Sequence, residues 1–313
     1  SSTWNYYAWP NYRRIRKCVV YPKKDLIVVG CDSGFVQRSN DGGYTWQYSR
    51  VPDNPNGRDI DKIQMIGNIG VASAYTKALY LTEDGAESWK SLTIISPKFD
   101  VVHSFSMPDS NTIYVTSNLD SSWIYFSSFD RGKTWEYLSQ TKAFTKEGIT
   151  QPVFLNKNLG WGEVSKRATE PGTKRLIYIY KSTDGGKSWN LKYHDPDTIP
   201  ILLSPGVFSD SLHGIYLSMN VIYYTKDGGE TWNKYITKFN GYTYPHYNKS
   251  PFFPVPDTPY FTKGARLIKY VGNSTGNSEE LKISNSIVFP NPATDHIYLR
   301  NTSNILTDVI EVK

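Results

Sequence analysis

The sequence predicts an all-β chain folded as a six-bladed β-propeller of four-stranded antiparallel blades. Three observations carry this. The 313 residues are 15% aromatic, with 24 Tyr and 9 Trp against only 3 Met, and runs of Val, Ile, Tyr and Thr favour strands over helices. An eight-residue pattern, Ser/Thr-x-Asp-x-Gly-x-Ser/Thr-Trp, recurs five times: SNDGGYTW (39–46), TEDGAESW (82–89), SFDRGKTW (128–135), STDGGKSW (182–189) and TKDGGETW (225–232). Its aspartates, Asp41, Asp84, Asp130, Asp184 and Asp227, are 43, 46, 54 and 43 residues apart, the length of a four-stranded blade.

The residue types in the motif suit a hairpin. The Asp carboxylate accepts hydrogen bonds from N–H groups of its own turn, and Gly supplies a positive φ. The Ser/Thr hydroxyl adds a local bond, and Trp46, Trp89, Trp135, Trp189 and Trp232 open the outgoing strand with a ring to bury. The second copy departs slightly, with Ala86 where the others carry Gly. Five aspartates placed alike in five blades point to five places around a ring, so they are expected to be structural rather than catalytic or metal-binding.

In the first blade the strands are expected over 17–21, 26–29, 34–38 and 45–50, so the motif joins the third strand to the fourth. Blades two to five follow over about 61–94, 101–138, 151–193 and 202–236. The long interval in blade four is taken up by a polar loop, 165–174, containing Pro171 and Gly172. Three more strand-like runs, 252–255, 259–262 and 266–271, lack a sixth motif. The missing fourth strand is expected from the N-terminus, where 2–7 (STWNYY) resembles 133–138 (KTWEYL), with Trp4 beside the strand containing Leu267. Such closure removes exposed sheet edges. Domain organisation follows: propeller over 1–272, a Gly/Ser/Asn-rich linker over 273–285, and the start of a second β module over 286–313.

Net charge is +6, mostly scattered Lys, with one dense cluster at Arg13, Arg14, Arg16 and Lys17; this is too little concentrated charge for nucleic-acid binding. No apolar run of about 18 residues offers a membrane span, and a start at Ser1 rather than Met implies a removed leader or a trimmed chain. Cys18 and Cys31 lie on strands expected to pair, compatible with a disulfide or with two buried thiols.

The tail run 286–299, with its FPNPATD core at 289–295, resembles the opening of the C-terminal sorting domain of the type IX secretion system of Bacteroidetes. That resemblance implies a Gram-negative export substrate, secreted or held at the cell surface. The five repeats resemble the Asp-box (BNR) families, which include sialidases, xyloglucan-type glycosidases, sortilin-like receptors and Ycf48-like photosystem assembly factors. Because that group mixes enzymes with binders, it implies the scaffold and leaves function to the site.

A sialidase-like site needs three converging arginines, a Tyr paired with Glu, and an acidic Asp. The candidates outside the basic cluster are Arg38, Arg50, Arg58, Arg131, Arg167, Arg175 and Arg266, several beside motifs or in turns. The 13–16 run RRIR lacks the Pro expected after Ile in the sialidase arginine motif. A glycosidase needs two carboxylates roughly 5–10 Å apart. Glu163, in the run LGWGE (159–163), is the one acid singled out as a catalytic candidate, with Asp59, Asp61, Asp100 or Asp210 as partner. For binding, Trp161, Glu163, Trp123, Tyr242 and Tyr244 are the candidates, with 239–256 a loop over one face. His103, His194, His213, His246 and His296 show no metal-ligand spacing; neither cofactor nor metal is expected. The function expected is an exported, monomeric, non-catalytic binder of a protein or glycan, with a glycoside hydrolase as the alternative.

Overall fold

The computed structural model describes residues 16–54, 56–74, 76, 78–94, 101–119, 122–138, 148–149, 151–167, 175–199, 206–217, 221–236, 252–255, 258–263, 266–269, 286–288, 296–301 and 309–311. The chain divides into two compact units, Ser1–Gln140 and Thr141–Lys313.

The first unit holds three four-stranded antiparallel sheets, each ordered as in the chain. They are β1 (Arg16–Lys23), β2 (Leu26–Cys31), β3 (Phe35–Ser39) and β4 (Gln47–Arg50); β5 (Lys62–Ile66), β6 (Ile69–Ser73), β7 (Ala78–Thr82) and β8 (Lys90–Thr93); and β9 (Ser104–Ser106), β10 (Ile113–Leu119), β11 (Ser122–Ser128) and β12 (Glu136–Leu138). The second unit holds two more: β13 (Val153–Phe154), β14 (Gly160–Arg167), β15 (Arg175–Ser182) and β16 (Asn190–Ile199); then β17 (Val207–Phe208), β18 (Gly214–Leu217), β19 (Val221–Thr225) and β20 (Asn233–Ile236). Two three-stranded sheets follow, β21 (Phe252–Val255), β22 (Thr258–Lys263) and β23 (Arg266–Lys269), and β24 (Ser286–Val288), β25 (His296–Asn301) and β26 (Val309–Glu311).

The chain is thus all-β, with five four-stranded sheets, each carrying one motif between its third and fourth strands. The sheet over 252–269 has three strands among the described residues. Residues 1–15, expected to complete it, lie outside them, as does the linker 273–285. The longest departure from expectation is β16, which runs to Ile199 rather than ending near 193.

Inner strands such as β2, β18 and β19 are buried along their whole length because both of their faces are covered. In β2, Val28 joins Val36, Ile60, Ala72 and Tyr80 between the first two sheets, while Ile27, Val29 and Cys31 pack on the opposite face with Phe35 and Trp46. Leu79, Leu81, Phe105, Val115 and Phe126 fill the next interface. Burying Phe105 completely contributes about 2–3 kcal/mol. Lys62 ties these sheets further, its Nζ donating to the Phe105 carbonyl at 2.5 Å.

The same alternation settles the cysteines. Cys18 packs on the Val28 face, its Sγ donating to the Ile60 carbonyl at 3.6 Å, whereas Cys31 is on the Ile27 face. Neither is in a disulfide, and burial pushes the thiol of Cys18 up to about 12. Gly30, paired with Cys18, has no room for a Cβ, which would sit 2.6 Å from the sulfur.

Candidate functional site

The five motifs share one hydrogen-bond scheme. Asp41 Oδ1 accepts from Ser39 Oγ at 2.8 Å and from the Thr45 N–H at 2.9 Å; Oδ2 accepts from Thr45 Oγ1 at 2.6 Å, and Ser39 Oγ accepts from the Gly43 N–H at 2.8 Å. Equivalent bonds surround Asp84, Asp130, Asp184 and Asp227. Those from the Thr45 and Thr134 hydroxyls and N–H groups hold Asp41 and Asp130 down to about 2. In three motifs the indole N–H donates back into the turn, Trp46 to Gly43, Trp189 to Gly186 and Trp232 to Gly229. Trp89 and Trp135 have no such partner among the described residues. Both oxygens of each carboxylate are spent on the hairpin, and no cluster of metal-binding side chains occurs among the described residues.

One repeated bond is invisible in the motif itself. The residue after each Asp donates its N–H to the turn between the first two strands of the same sheet: Gly42 to Asp25, Gly85 to Asn68, Arg131 to Asn111, Gly185 to Asn158 and Gly228 to Leu212, at 2.7–3.0 Å. Motif hairpins and first turns therefore share one end of each of the five four-stranded sheets. The turns between second and third strands, and the loops entering the next sheet, share the other.

Trp161 and Glu163 alternate onto one face of β14, and that face is covered by the fifth sheet. The Trp161 ring is fully buried, stacked on Phe208 at 3.7 Å, and its N–H donates to the Gly228 carbonyl at 2.9 Å. Glu163 is 3% exposed. Burial, and then the neighbouring Glu163 carboxylate, hold the Tyr216 hydroxyl well above its ordinary value. The two glycines around Trp161 serve packing: a Cβ on Gly160 would meet Phe154 at 2.5 Å, and one on Gly162 would meet Ile149 at 2.3 Å.

Two of the proposed carboxylate partners, Asp210 and Asp59, make local contacts of their own. Asp210 caps its own turn, accepting from the Leu212 and His213 N–H groups at 2.7 and 2.8 Å, with His213 Nδ1 at 2.9 Å. Asp59 accepts from the Ser33 N–H at 3.2 Å; Asp59 and Asp61 belong to the first unit, and Asp100 lies outside the described residues.

Sequence reasoning missed the second buried acid on this face. Asp195, on β16, is fully buried; it accepts from the Tyr223 hydroxyl at 2.5 Å and from Lys234 Nζ at 2.9 Å, while Lys234 also reaches the exposed Asp197 at 2.8 Å. Burial raises the Asp195 carboxyl, but the bonds from Tyr223 and Lys234 outweigh it and hold the group below its usual range. Register puts Asp195 opposite Ile177 and Glu163 opposite Ile179. Two strand spacings and a two-residue offset then place the Cα atoms of the two acids roughly 12 Å apart. Only the DPD run (195–197) hinted at this cluster.

Trp123 is half-buried at the start of β11, edge-on to His103 with centroids 4.7 Å apart. Arg38 is bound to Gln47, Asn40 and Glu87, and Arg131 to Glu83, so these arginines serve separate contacts rather than converging on one point. Arg13, Arg14, Tyr242 and Tyr244 lie outside the described residues.

At the end of the first sheet remote from its motif, a concavity of about 630 Å³ is lined by Arg50, Val51, Asp53 and Asn54. The guanidinium of Arg50 lies 5.4 Å over the Phe35 ring, and Asp53 accepts from Ser91 Oγ at 2.8 Å. Asn54 is buried and brackets the loop: its Nδ2 donates to the Arg58 carbonyl at 2.8 Å, and its Oδ1 accepts from the Arg58 N–H at 2.9 Å. Ser33 and Asp53 are held at φ 55° and 49°, unusual for non-glycine residues and a strain often kept at functional loops. The density of turn residues over 52–57 (PDNPNG) is the signal that marks this loop in the sequence.

A family model described as BNR/Asp-box repeat matches residues 223–234, which contain the fifth motif. No curated protein matches the chain. Among solved structures, the chain is similar to YCF48 bound to D1 peptide, with TM-score 0.57 and 17% identity over 88% of this chain and 83% of that one. It is similar to YCF48 from Cyanidioschyzon merolae with TM-score 0.48 and 14% identity, over 80% and 94% of the two chains. It is also similar to the GH74 xyloglucanase from Xanthomonas campestris with TM-score 0.52 and 13% identity, covering 79% of this chain but 42% of the xyloglucanase. The chain therefore carries the BNR/Asp-box repeat on the β-propeller fold of the D1-peptide-bound YCF48 and of the xyloglucanase.

Proposed function

We propose that this chain is an exported, non-catalytic propeller that binds a partner, a protein or a glycan, at the surface of a Gram-negative bacterium. The observation that carries the binding reading is the concavity at Arg50, Val51, Asp53 and Asn54, which is open where the acids of the second unit are enclosed. A protein partner is favoured by the fold shared with YCF48, whose structure holds a D1 peptide. Export rests on the FPNPATD run and its three-stranded sheet over 286–311. Six blades, with residues 2–7 completing the sheet of β21 to β23, belong to the same reading.

A peptide array and a glycan array, probed with the wild-type chain and with Arg50→Ala, test the binding claim. Selective retention of one ligand class that Arg50→Ala abolishes supports it; identical profiles overturn the assignment of the site. Deleting 286–313 is expected to trap the protein inside the cell. Oxidising a Trp4→Cys, Leu267→Cys pair is expected to yield an intramolecular disulfide if the N-terminal strand closes the ring.

The second reading, a glycoside hydrolase, is favoured by the similarity to the GH74 xyloglucanase. Turnover of any fluorogenic glycoside, lost in Glu163→Gln, would replace the binding reading with this one.

A further inference from the structure

The loop that brackets the concavity contains a chemically labile pair, Asn56 and Gly57. Asn56 is exposed. Gly57 sits at φ 56°, and even a Cβ placed on it would meet nothing closer than 3.9 Å, so its α-carbon faces open space and no side chain shields the peptide unit that follows Asn56. Its N–H has a single tie, to the Asn54 carbonyl at 3.1 Å.

The geometry points to Asn56 as a modification site, where spontaneous conversion to isoaspartate unpicks the Asn54 bracket and remodels the concavity. The Gly57 nitrogen attacks Cγ of Asn56; a C–N bond forms, and the side-chain nitrogen leaves as ammonia with the proton that Gly57 gives up. Water then opens the succinimide at either carbonyl, giving aspartate or isoaspartate. In the isoaspartyl product the backbone runs through the former side chain, so one methylene is added between residues 56 and 57. That insertion falls inside the span from Asn54 to Arg58, closed by three hydrogen bonds of 2.8, 2.9 and 3.1 Å. Asn54 cannot easily shift to compensate: its Nδ2 is packed so closely on Gly34 that a Cβ there would lie 2.4 Å away. The product also adds a negative charge to the loop that carries Asp53.

The chemistry is independent of the proposed binding function; only its consequence for a ligand rests on that reading. The native chain and the synthetic octapeptide 53–60 (DNPNGRDI) are incubated side by side in mildly alkaline buffer, and isoaspartate is quantified by peptide mapping. Because opening an exposed loop costs little, conversion in the folded chain is expected within about tenfold of the peptide rate. Asn56→Ser should abolish it without changing the melting temperature. Hydrogen exchange at the Gly57 and Arg58 amides should accelerate in the converted fraction. Conversion more than about a hundredfold slower than in the peptide would overturn the modification site, since the loop would then be closed to attack. Conversion with unchanged amide exchange would overturn the remodelling. Whether incubation also weakens array binding, in wild type but not in Asn56→Ser, is read separately and bears on the binding function alone.

Discussion

Trp161 donates its indole N–H to the carbonyl of Gly228, crossing from the fourth sheet to the motif hairpin of the fifth. The ring fills the space over that hairpin, and a Cβ on Gly229 would lie 2.7 Å from Nε1. In the second motif the corresponding position is Ala86, tolerated at φ 70° because the matching residue across the interface is the smaller Val28.

Trp161→Ala is accordingly expected to destabilise the chain by about 3–5 kcal/mol, and Gly229→Ala to be severely destabilising. Chemical denaturation measures both. Loss of ligand binding with unchanged stability in Trp161→Ala would instead make Trp161 a contact residue.

The buried acid offers a contrast between breaking and replacing an ion pair. Lys234→Met leaves Asp195 enclosed without its counter-charge and is expected to cost about 3 kcal/mol or more. Adding Asp195→Leu should recover much of that loss, and a double-mutant cycle on the melting curves gives the coupling. Additive single effects would show that the pair does not interact.

The clasps between hairpins should matter far less. Glu87 lies 2.9 Å from Arg38 and Glu230 lies 2.9 Å from Lys181, in both cases the sixth residue of a motif holding the residue just before the preceding one. The acids are 60% and 49% exposed. Glu87→Gln and Glu230→Gln should each cost less than about 1 kcal/mol, and less still in high salt.

The motif aspartates set an acid limit. Asp41 and Asp130 are depressed from 3.8 to about 2, so the folded state binds their protons less tightly than the unfolded one. Their stabilisation is complete above about 4 and is lost as pH falls towards about 2. Melting temperature against pH should drop across that window, and Asp41→Asn with Asp130→Asn should flatten the drop. An unchanged profile would mean that other carboxylates control it.

The thiols give a direct check on sheet packing. Cys18 and Cys31 should remain unreactive towards thiol reagents in the native chain, become reactive on unfolding, and show no mass change on reduction. A disulfide would contradict their placement on opposite faces of the first sheet, Cys18 on β1 and Cys31 on β2.

Five four-stranded sheets could be read from the amino-acid sequence, because each motif closes its hairpin with bonds only two to four residues long. Asp41, Ser39 and Thr45 need nothing distant, so the repeat and the strand order within each motif-bearing sheet were legible. What Trp161 and Glu163 face was decided only by tertiary structure: alternation puts both on one side of β14, but nothing local says that the fifth sheet covers that side. Asp195 was hidden for the same reason, since its partners Tyr223 and Lys234 lie 28 and 39 residues away. The concavity likewise exists only because Asn54, Arg58 and the 32–34 turn are folded onto one another, through contacts between segments that carry no common pattern.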